Sequence, residues 1–235
     1  MNWKLIVENR SGLENMERDF SLFKRNENGE NFSALCIYSW SKPCISVGYS
    51  QNIEDEIDRN KLKITGYDVV KRPTGGGIVF HNTAEATYSI ITSIDNQVLP
   101  KGLIPSYKKI SSAIVFALNK IGVNAEIRNW KLEIGHWKLD SSLCFSYPTE
   151  YEVVCNGKKI VGSAQRRGRK TILQQGSIFV RKSDETFFSV LRKPYNDYNA
   201  ISVEDVLDRE ISFEELKNAL AYGFKKELGV TFDNT

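Results

Sequence analysis

The first stretch of apolar residues with helical spacing lies near the start of the chain. Leu13, Met16, Phe20 and Phe23 recur at intervals of three and four residues. Ser11 followed by Glu14 has the capping-box pattern that begins many helices. The pattern predicts an amphipathic helix over residues 11–25, with these apolar residues in the core.

Two more helices are predicted from the same kind of spacing. The first covers residues 106–121 and ends at Gly122, with its apolar residues at Ile110, Ile114, Leu118 and Ile121. The second follows the capping box of Ser212 and Glu215 and ends at Gly229, with its apolar face at Phe213, Leu216, Leu220 and Phe224. Helices are thus expected at the start, middle and end of the chain.

Short runs rich in β-branched and aromatic residues separate these helices and indicate strands. They cover residues 34–40, 44–50, 68–72, 78–80, 86–92, 151–155, 158–163 and 171–180. Asn156-Gly157 is typical of a type I′ hairpin turn, and Lys42-Pro43 suggests a second antiparallel hairpin. Clustered hairpins without a regular βαβ alternation predict an α+β domain with a mixed, largely antiparallel sheet.

Composition narrows the class of protein. The 235 residues are 41% hydrophobic and 26% charged, with no repeat or linker, so we expect one domain over residues 1–235. The net charge of +3 is too small to drive nucleic-acid binding by the whole protein. The start of the chain does not resemble a signal peptide, and no apolar run reaches membrane-spanning length. Four cysteines without a CxxC pair favour reduced thiols in a cytoplasmic protein with no membrane association.

A run of three glycines after a strand is the first candidate site. Arg72 precedes Gly75, Gly76 and Gly77, and His81 follows them. Three residues without a Cβ let a ligand approach the backbone closely and let N–H groups converge on an anion. A simple turn between strands remains the alternative. With only two histidines in the chain, neither in a ligand-type spacing, we expect no metal site.

A basic run interrupted by small residues is the second candidate site. Residues 157–170 contain six cations, and Gly162, Ser163 and Ala164 leave space against the predicted strand. Such a run is either a solvated face or a patch that receives a phosphate, a carboxylate or an acidic protein. The run contains no aromatic residue, which argues against nucleic acid as its ligand.

A cysteine and a lysine form the third candidate site. Cys144 stands beside Leu143 and Phe145, where a cysteine is either a buried core residue or a nucleophile. A nucleophilic cysteine needs a stabilised thiolate, commonly through a nearby cation. Lys159 follows fifteen residues later, across the Asn156-Gly157 turn, and adjacent strands could bring the two together.

Together these segments resemble the lipoate-protein ligases and octanoyltransferases, whose catalytic domain is similar to that of biotin-protein ligases. The resemblance covers nearly the whole chain. Its most specific strings are KRPTGGGIVFH (71–81) and KKIVGSAQRR (158–167) with ILQQGSIFV (172–180), supported by ENMERD (14–19) and SVGYSQ (46–51). The resemblance implies a mixed α/β domain in which the glycine string and the GSAQ string line a tunnel for a medium-length acyl chain.

The resemblance implies one of two reactions. Octanoyltransferases move octanoate from acyl carrier protein onto a cysteine, here Cys144, and then to a lysine of a lipoyl domain or glycine-cleavage H protein, without a cofactor. Lipoate ligases use ATP and Mg²⁺ to form lipoyl-adenylate before the same lysine is acylated. The segment from Cys144 to Gln165 resembles the octanoyltransferases, and this implies that Lys159 contacts the acyl carbonyl. The substrate-binding candidates are Arg72, Gly75, Gly76, Gly77, His81, Gly162, Ser163 and Ala164.

Two features of the chain favour different branches of the family. Gly77 stands where octanoyltransferases usually have arginine, and three glycines are the ligase form. Asn82 follows His81 where both branches usually have an aspartate. We expect no accessory C-terminal domain of the kind many ligases have, and this expectation favours transfer over ligation. A third interpretation is a binding module that holds nucleic acid or an acidic protein at residues 158–170.

Overall fold

The structure is a computed structural model that describes residues 1–128, 151–182, 186–193 and 199–233. The strands are β1 (Asn2–Arg10), β2 (Ala34–Trp40), β3 (Cys44–Val47), β4 (Asp68–Lys71), β5 (Val79–His81), β6 (Ala86–Ser93), β7 (Ala125–Ile127), β8 (Val153–Cys155), β9 (Lys158–Arg167), β10 (Thr171–Ile178) and β11 (Thr231–Asp233). The helices are α1 (Gly12–Glu27), α2 (Ile53–Glu56), α3 (Arg59–Thr65), α4 (Leu103–Lys120), α5 (Thr186–Ser189), α6 (Val203–Leu207) and α7 (Phe213–Leu228).

Within these residues the strands form a large and a small sheet. The large sheet has the order β11-β1-β2-β6-β10-β9-β8-β7, and the small sheet has the order β4-β3-β5. Only β1–β11 and β1–β2 in the large sheet, and β3–β4 in the small one, are parallel pairs. The remaining pairs are antiparallel. The predicted α+β class with a mixed, largely antiparallel sheet is confirmed.

Helices α4 and α7 cover one face of the large sheet, and helix α1 and the small sheet lie on the other. The main core lies between one face and helices α4 and α7, and it contains Tyr88, Ile114, Leu220 and Phe224. On the other face, α1 packs on β6, β10 and β4. A second core lies there, and its Tyr38 and Trp40 come from β2. This second face is where the two sheets meet.

The two predicted capping boxes, the end of α7 at Gly229 and the hairpin turn are confirmed, whereas α4 begins at Leu103 instead of residue 106 and α1 continues to Glu27. Ser11 accepts a hydrogen bond from the Glu14 backbone, and the Glu14 side chain bonds back to Ser11, which completes the capping box. Helix α7 begins with a bond from the Glu215 backbone to Ser212 and ends at Gly229, where φ is 65°. In the β8–β9 turn, Asn156 and Gly157 have φ of 51° and 72°, as a type I′ turn requires.

Three predictions about the first half of the chain are wrong. Lys42-Pro43 does not make a hairpin, because β2 belongs to the large sheet and β3 to the small one. The predicted strand over 44–50 ends at Val47. Leu13 and Phe20 on α1 are 58% and 38% exposed, although Met16 and Phe23 are buried as expected. Helix α1 instead buries the polar side chains of Asn15, Asp19 and Asn26.

In the part of the chain that is described, none of the helices combines the length and the apolar composition that crossing a membrane requires.

Candidate active site

A pocket opens between the large sheet and the small sheet. It is narrow, with a cavity volume of about 30 Å³. Its walls come from α1, both sheets and the segment after β4, namely Met16, Tyr38, Trp40, Ser46, Arg72, Val79, His81, Thr87, Gly162, Ser163, Ala164, Gln175, Gly176 and Ser177. The fold therefore brings five predicted site residues from distant parts of the sequence into one cavity: Arg72, His81, Gly162, Ser163 and Ala164.

Arg72 holds the glycine loop in place. Its Nη2 donates to the carbonyl oxygens of Gly75 and Gly77 at 2.7 and 2.5 Å, and its Nη1 donates to the Ser46 carbonyl at 3.1 Å. The Gly48 backbone passes so close to the loop that a Cβ there would lie 1.9 Å from the Gly76 oxygen. Arg72 thus positions the loop, and its contact with substrate stays a prediction.

Two of the three glycines differ in what their positions demand. Gly76 has a φ of 87°, a left-handed conformation that favours glycine. Gly75 shows no such constraint, and a Cβ built there would meet no atom within 4 Å. The space beside Gly75 is therefore available to a ligand, as the sequence interpretation requires.

Both ring nitrogens of His81 have hydrogen-bond partners, and one face of its ring packs on an aromatic residue. Its Nε2 lies 2.8 Å from Ser46 Oγ, and its Nδ1 lies 2.9 Å from the Glu85 carboxylate. The ring stacks on Trp40 with centroids 3.9 Å apart. Burial lowers the pKa of His81 well below its ordinary value, and the positive charge of Arg72 lowers it further. Burial raises the pKa of Glu85, which the sequence analysis did not single out.

The small residues of β9 leave room at the pocket. Gly162 and Ala164 alternate with Ser163, whose hydroxyl hydrogen-bonds Tyr88 at 2.8 Å on the helix-covered face of the sheet. Gly176, the partner of Ser163 on β10, has no space for a side chain, because a Cβ would lie 2.3 Å from the Tyr88 ring. Gly162, Ser163 and Ala164 line the pocket, and their contact with substrate stays a prediction.

A buried polar network behind the pocket was missed by the sequence analysis. The Asp19 carboxylate accepts from Arg18, Tyr38, Ser89 and Gln175. Burial by itself lowers the pKa of the Arg18 guanidinium, but the charge of Asp19 and smaller neighbouring effects raise it overall. The sequence signal that could have revealed this network is the string ENMERD (14–19), in which the polar residues Asn15 and Asp19 lie beside the apolar Met16 on the predicted helix.

Lys159 is buried three residues before the small-residue strip. Its ammonium forms an ion pair with Glu152, and Lys159 is 1% exposed. A backbone bridge to Ala200 also fixes this part of β9. Cys144 lies outside the described residues, so its pairing with Lys159 stays a prediction.

The basic run does not form one solvated patch. Lys159 is buried, and the Arg166 guanidinium lies over the rings of Tyr49, Phe23 and Phe20 at 4.8, 5.3 and 5.5 Å. Arg166 also donates to the Pro73 carbonyl at 3.0 Å. Of the two alternatives for this run, a single solvated face over 157–170 does not hold, because the alternation of β9 divides its side chains between two faces.

The three cysteines in the described residues are buried free thiols. Burial raises the pKa of Cys36 to about 12 and also raises the pKa of Cys44 and Cys155. A buried thiol that resists ionisation is a poor nucleophile. Cys144 is the remaining cysteine of the chain.

Solved structures of lipoate-protein ligases have the same fold. A crystal structure of lipoate-protein ligase A bound with ATP superposes with a TM-score of 0.78, covering 100% of this chain and 89% of that chain at 23% identity. The bi-partite lipoate protein ligase of Thermoplasma acidophilum gives a TM-score of 0.76 at 22% identity, covering 100% of this chain and 87% of that chain. The architecture is that of a lipoate-protein ligase catalytic domain.

Sequence similarity supports the same assignment. The family described as lipoyl protein ligase A/B catalytic domain matches residues 11–225. Octanoyltransferase LipM of Kyrpidia tusciae is 36% identical over 245 residues, covering 98% of this chain and 89% of that protein. Octanoyltransferase LipM of Clostridioides difficile is 33% identical and covers 99% and 89%, respectively. The chain belongs to the lipoyl protein ligase A/B catalytic domain family, and the resemblance stated from the sequence is confirmed.

Proposed function

We propose that the protein is an octanoyltransferase of lipoate metabolism. It takes octanoate from acyl carrier protein and passes it to a lysine of a lipoyl domain or glycine-cleavage H protein, with Cys144 as the acyl carrier in between. The observation that carries this proposal is near-full-length similarity to proteins named octanoyltransferase, at 36% and 33% identity. The same route could carry a lipoyl group in place of the octanoyl group.

The pocket wall offers apolar surface to a medium-length acyl chain. Met16, Tyr38, Trp40 and Val79 supply apolar surface, and Gly162 leaves the opposite strand open. Removing each methylene from water contributes about 0.8 kcal/mol to binding. A saturated acyl chain is therefore the kind of ligand that this wall stabilises.

The chemistry divides one acyl transfer into two. The Cys144 thiolate attacks the thioester carbonyl, the C–S bond to the carrier breaks, and the carrier thiolate takes up a proton. Because a thioester is already activated, this route uses neither ATP nor Mg²⁺. The acceptor amine then forms the amide bond, and the thiol of Cys144 is regenerated.

Lys159 and the glycine loop supply the electrostatic part of the proposal. The Lys159 ammonium would face the oxygen of the tetrahedral intermediate, with Glu152 fixing its position. Gly75, Gly76 and Gly77 would let the acyl head group approach the backbone. One well-placed donor to such an oxyanion contributes about 3 kcal/mol to lowering the barrier.

Intact-mass analysis tests the proposal. After incubation with octanoyl-acyl carrier protein, the wild-type chain should gain one octanoyl group, and Cys144→Ala should gain none. Cys155→Ala, which removes a buried thiol, is the matched control and should still be acylated. An undiminished adduct or undiminished transfer in Cys144→Ala would contradict the mechanism.

The ligase alternative is tested in the same series, because the glycine triplet has the ligase form. The chain is offered octanoate or lipoate with ATP and Mg²⁺, together with a lipoyl domain. Pyrophosphate release and acylation in these mixtures, without acylation from acyl carrier protein, would replace the transferase by a ligase.

A further inference from the structure

Three residues in the pocket wall are connected by hydrogen bonds in the order serine, imidazole and carboxylate. Ser46 Oγ lies 2.8 Å from His81 Nε2, and His81 Nδ1 lies 2.9 Å from Glu85 Oε2. All three side chains are buried, and Ser46 and His81 line the pocket. The proposed thioester chemistry at Cys144 does not use this chain of groups.

Neighbouring elements fix the imidazole. Trp40 of β2 stacks on its ring, and Ser177 of β10 places a hydroxyl 3.3 Å from Nδ1. Thr87 of β6 contacts Ser177 in turn. Among the described residues, Arg72 and Glu85 are the charged or titratable groups that act on His81. Arg72 Nη1 also contacts Ser46 Oγ at 3.2 Å, so its charge lies at the Ser46 end of the chain.

We propose that Ser46, His81 and Glu85 form a proton relay that deprotonates the acceptor lysine before it attacks the octanoyl thioester. This inference rests on the proposed function. Ser46 and His81 are the groups nearest the substrate, and Glu85 is a positioning residue that acts through His81. Relays of this type, serine or cysteine to imidazole to carboxylate, move protons efficiently because each group is already hydrogen-bonded to the next.

In the second half of the reaction, the acceptor lysine loses two protons as it takes the octanoyl group from Cys144. The lysine ammonium gives one proton to Ser46 Oγ while the Ser46 proton passes to His81 Nε2. The His81–Glu85 pair then carries one additional proton and changes from a net negative to a neutral pair, which burial favours. The neutral amine forms the C–N bond, the C–S bond to Cys144 breaks, and the second amine proton ends on the sulfur.

The test compares two amines on isolated octanoyl-enzyme. A lipoyl domain offers a lysine that must lose a proton, whereas hydroxylamine is already neutral near pH 7. We expect Glu85→Gln to lower the ratio of lysine to hydroxylamine transfer rates about 100-fold, and Ser46→Ala to lower it similarly. The remaining lysine transfer should become steeper with pH, because it then depends on the small fraction of free amine. Glu214→Gln, an exposed change on α7, should keep the wild-type ratio.

Folding and the proposed function are controlled separately. Thermal melting identifies a variant that fails to fold. If Glu85→Gln fails to fold, the rate ratio of Ser46→Ala, which removes one oxygen atom, becomes the test of the relay. Ratios within twofold of wild type in folded variants would overturn the relay while leaving the thioester intact. A wild-type chain that forms no octanoyl-enzyme would overturn the proposed function and the relay together.

Discussion

Gln175 on β10 donates a hydrogen bond to the Asp19 carboxylate on α1, with Nε2 and Oδ2 2.8 Å apart. The carbonyl oxygen of the same Gln175 amide accepts from Thr74 Oγ1 at 2.7 Å. Thr74 immediately precedes the three glycines. One buried amide thus links the first helix, the large sheet and the glycine loop, so the position of the loop depends on a helix that contributes only Met16 to the pocket wall.

Removing the Asp19 carboxylate should destabilise the protein. Asp19→Ala leaves the largely buried Arg18 guanidinium with Glu8 as its remaining carboxylate partner, and it removes the acceptor that Tyr38, Ser89 and Gln175 share. We expect the free energy of unfolding in urea to fall by about 3 kcal/mol. The double variant Arg18→Met, Asp19→Leu should recover much of this loss, since it removes both charges. Purely additive losses in the double variant would show that the pair is not coupled.

Two glycines near the loop should respond differently to alanine. Gly48→Ala places a Cβ 1.9 Å from the Gly76 oxygen and should cost more than about 2 kcal/mol of stability. Gly75→Ala meets no atom within 4 Å and should change stability by less than about 0.5 kcal/mol. If the acyl group passes over the loop, Gly75→Ala should nevertheless raise KM for acyl carrier protein substrate. Unchanged kinetics in Gly75→Ala would place the acyl group elsewhere.

Lys159 can be tested without confusing catalysis and folding. Lys159→Met alone leaves the Glu152 carboxylate buried without that ammonium and should cost about 3 kcal/mol. Adding Glu152→Leu should restore most of the stability. Octanoyl transfer should stay about 100-fold below wild type in the double variant if the ammonium stabilises the oxyanion. Recovery of transfer together with stability would reduce Lys159 to a structural role.

The His81–Glu85 pair predicts how stability depends on pH. Burial lowers the pKa of His81, so its contribution is present above the ordinary value of 6.5 and is lost as pH falls. Burial raises the pKa of Glu85, so its contribution is present below the ordinary value of 4.5 and is lost as pH rises. Between these two values the effects oppose each other in the wild type.

Glu85→Gln removes one side of this balance. Relative to wild type, the variant should lose stability as pH is lowered from about 6.5 to about 4.5, by up to about 1.4 kcal/mol per pH unit. Urea unfolding of both proteins across this range measures the difference. A difference that does not vary with pH would mean that the pair does not exchange protons between the folded and unfolded states in this range.

Local patterns were sufficient for elements whose signals lie within a few residues. The capping boxes at Ser11 and Ser212, and the Asn156-Gly157 turn, depend on backbone bonds between near neighbours, and each is present. The Lys42-Pro43 turn was misjudged because a turn does not specify which sheet each flanking strand joins. That choice depends on long-range pairing, here of β3 with β4 and β5.

The parts of the site that could be predicted from the sequence are those built from small residues, because a run of such residues indicates open space next to the backbone. Three adjacent glycines and the GSA string indicated open space; the GSA string lines the pocket, and Gly75 has room for a Cβ. Glu85 and Asp19 could not be predicted in the same way, because an isolated acidic residue is usually exposed. Their importance comes from burial beside His81 and Arg18, which only the assembled fold creates.

The pocket walls belong to two sheets that share no strand, and Trp40 and His81 meet across the junction. A fatty chain lying there would contact both sheets at once and would remove part of the apolar wall from water. Charged and discharged enzyme would then differ in heat resistance, with the loaded form the more resistant. Melting temperature would report how much of the enzyme carries its cargo, independently of any acceptor protein.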